Sequence, residues 1–121
     1  MKNQLKQNLL IFLFALATAG FAHAQNSAVT NAILYHKDGE LDKAKENIDG
    51  ASSNEKTSGQ AKTWYYKGVI YSDIAHSTNP AYQSLSSEPL KIAYESYVKA
   101  QELDPKKGEY YKLSGQKLEE L

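Results

Sequence analysis

Apolar residues recur along this chain at intervals of three and four positions, the spacing that places side chains on one face of an α-helix. The clearest stripe combines aromatic and small residues in one segment, at Ala61, Trp64, Gly68, Tyr71 and Ala75. Five segments have helical periodicity or composition, at 26–37, 40–51, 57–76, 88–103 and 108–121. After residue 24, no alternation of apolar and polar residues reaches the length of a strand. The pattern therefore predicts an all-α fold.

Polar stretches and turn residues separate the predicted helices. Gly39 can adopt the left-handed conformation that ends a helix, so it predicts the boundary between the first two helices. Thr57 and Gln60 have the spacing of a capping box, which predicts that the third helix begins near Thr57. The stretches 50–59 and 77–89 are rich in small polar residues and are predicted to be loops.

The first 24 residues have the pattern of a secretory signal peptide. Lys2 and Lys6 give a basic start, an unbroken apolar run covers residues 9–16, and an A-x-A cleavage site ends at Ala24. An uncleaved membrane anchor is the alternative, but an apolar core of about a dozen residues is short for a span, which needs ~20. We therefore predict cleavage after Ala24, a periplasmic or secreted protein, and one mature domain at 25–121.

The composition argues against several classes of function. Without residues 1–24, 97 residues remain, and they carry 12 Lys, 14 acidic residues and no Arg. This length suits one small domain, and the charge balance argues against nucleic-acid binding, which requires a basic surface. The chain has no Cys, which excludes disulfides, a thiol nucleophile and a lipoprotein anchor. We expect no stable membrane anchor after cleavage.

No combination of residues typical of catalysis or cofactor binding occurs in the mature sequence. Asp73 precedes His76 by three positions, so the two side chains could touch on one helix face. Two ligands make at most a fragment of a zinc site, which normally takes three or four. The acidic residues that begin at Asp38 lack the spacing of an EF-hand loop. We therefore predict a protein that is not an enzyme and binds no metal or cofactor.

Two successive predicted helices carry a motif of small and aromatic residues, at Trp64, Gly68 and Tyr71 and then at Ala93, Tyr97, Ala100 and Pro105. This motif resembles the tetratricopeptide repeat, a helix–turn–helix unit in which small residues allow close packing of two antiparallel helices and aromatic residues fill the spaces beside them. Weaker copies flank it, at Ala32, Tyr35, Ala44, Ile48 and Ala51 upstream and at Tyr111 and Gly115 downstream. The resemblance implies an α-solenoid of about two and a half units over residues 25–121.

The chain departs from the family pattern at three places. Lys56 stands where the first copy would have Pro. Lys67 stands where the family usually has Leu, and roughly 13 extra residues separate Tyr71 from Ala93. We expect the insertion to lengthen a helix, to form an ordered excursion, or both. A three- or five-helix bundle without repeat symmetry is the alternative architecture. Because the third unit is only half present, we hypothesise that the chain is the N-terminal part of a longer repeat protein, or a truncated gene product.

In the family, the first helices of successive units line a concave groove. The resemblance carries this role over to Lys62, Tyr65, Tyr66, Val69, Ser72 and Asp73 in the second unit and to Ile33, His36 and Lys37 in the first. In the third unit it implies Glu109, Lys112 and Gln116. Tyrosine offers a large, stiff contact surface with a hydroxyl, which suits recognition. The resemblance therefore implies a non-catalytic module that binds a protein or peptide.

Two other functions are consistent with the same residues. The chain could be a structural segment of a larger envelope protein that self-associates through its C-terminal half-unit. It could also bind a carbohydrate or small ligand on Trp64 and the paired tyrosines, which would require an exposed Trp64, whereas the repeat pattern predicts that Trp64 is buried.

Overall fold

The computed structural model describes residues 27–121 as an all-α domain, as the periodicity predicts. Its helices are α1 (27–37), α2 (Leu41–Ser52), α3 (Ala61–His76), α4 (Pro80–Gln83), α5 (Pro89–Glu102) and α6 (Glu109–Glu120). No strand occurs in this part of the chain. The predicted signal peptide and its cleavage site lie outside the described residues. None of the described helices is both long and apolar enough to cross a membrane.

The helices pack antiparallel, and neighbours in the chain are largely neighbours in space. α2 packs against α3, α3 shares the largest interface with α5, and α5 packs against α6. α3 also touches α6 directly, so these two helices lie side by side in front of α5. The short α4 contacts α3.

Small and branched residues form the core between these helices. Five alanines that the repeat motif assigns to packing are at most 1% exposed, namely Ala32, Ala44, Ala51, Ala93 and Ala100. Ile48, Ile70, Ile74 and Tyr97 are the large apolar side chains buried among them. Because alanine has little volume, helix backbones can approach closely wherever it lies at the interface.

The other predicted packing residues differ in burial. Tyr71 and Gly68 are buried, whereas Tyr35, Trp64, Tyr111 and Gly115 are only half-buried and Pro105 is exposed. Trp64 is therefore not a core residue, contrary to the prediction. Its indole Nε1 donates a 2.7 Å hydrogen bond to the Ser58 carbonyl, and the Lys67 ammonium lies 5.2 Å from its ring. These contacts hold Trp64 over the loop before α3 instead of between helices.

The predicted capping box at Thr57 is wrong. α3 begins at Ala61, after Gln60, and no side chain caps its N-terminus. Thr57 is instead fully buried, and its hydroxyl donates a 2.5 Å hydrogen bond to the Ala51 carbonyl near the end of α2. The loop winds through consecutive turns, including a 2.7 Å bond from the Ser58 amide to the Asn54 carbonyl, and these turns bring Thr57 back to α2.

The insertion between the third and fourth predicted segments is an ordered excursion, as expected. Asn79 caps α4, because its Oδ1 accepts a 3.0 Å hydrogen bond from the Ala81 amide. The Gln83 side chain then donates a 2.9 Å bond to the Ser77 carbonyl, which closes the segment on itself. Pro89 starts α5 at the first-turn position, where its missing N–H costs nothing.

Lys67 belongs to a polar network between α2 and α3. Its ammonium donates a 2.8 Å hydrogen bond to Ser52 Oγ and lies 3.6 Å from Asp49 Oδ1. Asp49 also accepts a 2.8 Å bond from the Tyr71 hydroxyl and pairs with Lys45 at 2.9 Å. Burial and the bond to Asp49 together raise the pKa of Tyr71. The network accommodates the Lys67 ammonium between α2 and α3.

Candidate binding groove

Side chains from α1, α3 and α6 meet on one face of the domain. His36 Nε2 on α1 lies 2.5 Å from Asp73 Oδ2 on α3, which links these two helices. On the other side of Asp73, α3 and α6 enclose an open pocket of about 220 Å³. We call this face the groove, and its pocket is lined by Val69, Ser72 and Asp73, which the sequence predicted to be binding residues.

The pocket between α3 and α6 has apolar, charged and hydroxyl groups in its lining. Three predicted groove residues line it from α3, and two charged residues line it from α6: Val69, Ser72, Asp73, Lys117 and Glu120. Tyr97 of α5, of which 1% is exposed, also contributes to the lining. His76 lies at the edge, where its Nδ1 is 2.8 Å from the Ser72 carbonyl oxygen.

Two groups in the pocket have pKa values raised by their surroundings. The Lys117 ammonium donates a 2.8 Å hydrogen bond to Glu120 Oε2, and this bond raises the pKa of Lys117. Burial raises the pKa of Tyr97, and the nearby Tyr65, Asp73 and Glu120 add to the increase. The Tyr97 hydroxyl is buried and has no hydrogen-bond partner among residues 27–121. A residue that lines the pocket thus carries a buried hydroxyl without a hydrogen-bond partner in the described part of the chain.

Four tyrosines from α3, α5 and α6 form an aromatic cluster beside the pocket. The Tyr65 ring is the centre, with centroid distances of 5.1 Å to Tyr66, 5.6 Å to Tyr110 and 6.1 Å to Tyr97. Tyr66 is also 6.4 Å from Tyr110. Tyr65 and Tyr66 of α3 therefore pack against Tyr110 of α6, and both remain half-buried. Burial raises the pKa of Tyr65 and of Tyr110.

The remaining predicted groove residues lie around the pocket but not in its lining. Lys62 and Lys37 are exposed, and Ile33 is half-buried against the core. Asp73 contacts His36 of another helix, and not His76, the partner that helical spacing favoured. Within residues 27–121, no three His, Asp or Glu side chains are grouped so that they could hold a metal ion.

Sequence reasoning missed the residues that α6 contributes. The resemblance implied Glu109, Lys112 and Gln116, but all three are exposed, and the pocket is lined by Lys117 and Glu120. The opposite charges of Lys117 and Glu120 at i,i+3 were the available signal for an organised pair. Tyr110 was missed as well, although its position beside Tyr111 repeats the tandem tyrosines of α3.

Comparisons of the chain with protein-family models, with curated proteins and with solved structures found no match.

Proposed function

We propose that this chain is an exported, non-catalytic module with tetratricopeptide-like units, which binds a peptide segment of a partner protein in the groove. The pairs α1–α2 and α3–α5 would be two units, and α6 the first helix of a third. The packing order of the helices supports this division, because each unit's two helices and each pair of successive units would be in contact. The close approach of Gly68 to Tyr97 supports the pairing of α3 with α5.

The observation that carries the proposal is the convergence of α1, α3 and α6 on one open face. An extended peptide could contact all three helices there without displacing any core side chain. The tyrosine cluster supplies stiff aromatic surface, whose ordering on binding costs little conformational entropy. Export rests on the pattern of residues 1–24, and the partner would then meet the module outside the cytoplasm.

Selection of peptides from a displayed random library against the purified protein tests the proposal. We expect selected peptides to share a motif and to lose at least tenfold in affinity when Tyr65→Ala is introduced. Tyr94→Ala is the matched control, because Tyr94 lies on α5 with 56% of its surface exposed, outside the tyrosine cluster. The affinity of the selected peptides for the Tyr94→Ala variant should stay within a factor of two of their affinity for the unsubstituted protein.

Ser72→Gln provides a second variant that leaves the tyrosine cluster unchanged. The longer side chain would project into the pocket, and glutamine has a high helix propensity, so the fold should persist. Circular dichroism confirms folding for each variant. The proposal fails if no peptide is enriched, or if the selected peptides bind the Tyr65 and Ser72 variants as tightly as the original.

Self-association is the second candidate function, and the exposed apolar surface of α5 favours it. Leu90 and Tyr94 are one helical turn apart, with 45% and 56% of their surfaces exposed. Sedimentation velocity over a hundredfold range of concentration tests it: a sedimentation coefficient that rises with concentration and stops rising in Tyr94→Ala would support this function. The carbohydrate alternative is less favoured, since the Trp64 indole N–H is already bonded and its ring is shared with Lys67.

A further inference from the structure

The Tyr97 hydroxyl is a buried, unpaired polar group on a residue that lines the pocket between α3 and α6. Buried hydroxyl groups in folded proteins nearly always have a hydrogen-bond partner, and one left without a partner destabilises the fold. Tyr97 is 1% exposed, lines the pocket and has no partner for its hydroxyl within residues 27–121. A polar group that enters the pocket would supply the missing hydrogen bond.

The charged groups around this hydroxyl favour a ligand with a positive charge. Asp73 and Glu120 contribute two carboxylates and Lys117 one ammonium, which leaves one net negative charge when the imidazoles are neutral. The Lys117 ammonium is already bonded to Glu120. Asp73 uses Oδ2 for His36, and its Oδ1 accepts no hydrogen bond from the described part of the chain. The pocket therefore offers acceptors and negative charge to its occupant.

We propose that this pocket binds the ammonium group of a lysine side chain of the partner peptide, with hydrogen bonds donated to Asp73 Oδ1 and Tyr97 Oη. The assignment deepens the proposed function and rests on it. An ammonium group has three donors and no acceptor. Two of its N–H groups would bond to these two oxygens, and the third would face solvent. Val69 supplies apolar surface for the methylene stem.

Other occupants fit the same pocket less well. A carboxylate would face the like charges of Asp73 and Glu120, and an apolar side chain would leave the Tyr97 hydroxyl unpaired. The volume of about 220 Å³ is below the roughly 300–1,000 Å³ of pockets that hold drug-sized ligands. A single side chain is therefore the appropriate size.

NMR titration of the ¹⁵N-labelled protein with Nα-acetyl-lysine methylamide tests the assignment without any partner peptide. We expect saturable shifts of the backbone amides of Ser72, Asp73 and Lys117. The Nε-acetylated form of the same compound keeps the stem and removes the charge, so it should bind at least tenfold more weakly. Equal binding of the two compounds, or no shift of these amides with the lysine compound, would overturn the assignment.

Single substitutions test which residues of the pocket bind the lysine compound. Asp73→Asn should weaken binding of the lysine compound at least tenfold. Tyr97→Phe should weaken it roughly two- to tenfold while leaving the melting temperature unchanged or higher, because it deletes an unpaired hydroxyl. Glu95→Gln, an exposed carboxylate change on α5, is the control and should leave binding unchanged. Unaltered binding by both Asp73→Asn and Tyr97→Phe would overturn the assignment.

The outcomes separate this assignment from the proposed groove. If the lysine compound binds as expected but the library yields no peptide, the peptide-binding function fails and the ammonium pocket remains. If selected peptides occupy the groove yet keep their affinity when every lysine is replaced by glutamine, the pocket assignment fails and the peptide-binding function remains.

Discussion

The Tyr97 ring lies directly against the backbone of Gly68, so closely that a Cβ on residue 68 would be 2.5 Å from Tyr97 Cε1. The contact joins α3 to α5, which share the largest interface among helices α2–α6. Tyr97 is 1% exposed, so its ring can move away from residue 68 only if the side chains around it shift.

Gly68→Ala should therefore destabilise the protein, although alanine is the better helix former. The gain in helix propensity is about 1 kcal/mol, and overpacking of a well-filled core costs about 1–3 kcal/mol. We expect the free energy of unfolding to fall by up to about 2 kcal/mol, measured by chemical denaturation. Gly50→Ala is the matched control, since Gly50 lies within α2 and nothing surrounds its Cβ position within 4 Å.

That control should raise the free energy of unfolding by about 0.5–1 kcal/mol. Equal stabilisation by both substitutions would contradict the close contact of Gly68 with Tyr97.

The polar network around Asp49 predicts a second stability effect. Asp49→Ala would remove the acceptor for the Tyr71 hydroxyl and the counter-charge for Lys67, both of which are largely shielded from solvent. We expect a loss of about 1–3 kcal/mol in denaturation experiments, since buried groups left without partners carry the penalty. Glu46→Ala, an exposed change on the same helix, should stay within about 0.5 kcal/mol. A similar loss in both variants would argue against the network.

The periodicity of apolar residues was enough to predict the five longer helices and most of the buried alanines, but the predicted loop at 77–89 contains the four-residue α4. The spacing of Ala93, Tyr97 and Ala100 places them on one helix face whatever the surroundings, so their burial follows from local geometry. The partner of Asp73 could not be predicted in this way. His36 reaches it from 37 positions away, and such a contact depends on how α1 and α3 pack.

The errors near Thr57 and Trp64 have a common physical cause. Both residues were assigned by short-range motifs, and both make hydrogen bonds six positions back along the chain through the winding loop before α3. Thr57 bonds to the Ala51 carbonyl at the end of α2, and Trp64 bonds to the Ser58 carbonyl in the loop that follows. The bond from Thr57 outweighs its local tendency to cap a helix. A motif of four residues contains no information about that loop path.

The Thr57 hydroxyl predicts a third stability effect. Thr57→Val keeps the side-chain shape and leaves the Ala51 carbonyl without its 2.5 Å hydrogen bond. We expect the free energy of unfolding to fall by about 1–2 kcal/mol, because the Ala51 carbonyl then keeps only the longer 3.4 Å bond from the Asn54 amide. Thr78→Val, in an exposed position after α3, is the control and should change it by less than about 0.5 kcal/mol. If the two substitutions have the same effect, Thr57 does not hold the end of α2.

The raised pKa values of Tyr71 and Tyr97 predict a loss of stability at alkaline pH. Burial is the main cause in both, so the folded protein keeps their protons where the unfolded chain, with pKa values near 10, has released them. The unfolded state then binds fewer protons than the folded state. The contribution of these two tyrosines to the free energy of unfolding is therefore constant below about pH 9 and falls as pH rises above 10. Denaturation midpoints from pH 8 to 11.5 measure this dependence. Tyr97→Phe should reduce the fall, Tyr94→Phe should leave it unchanged, and a fall of equal size in all three proteins would show that Tyr97 does not contribute to it.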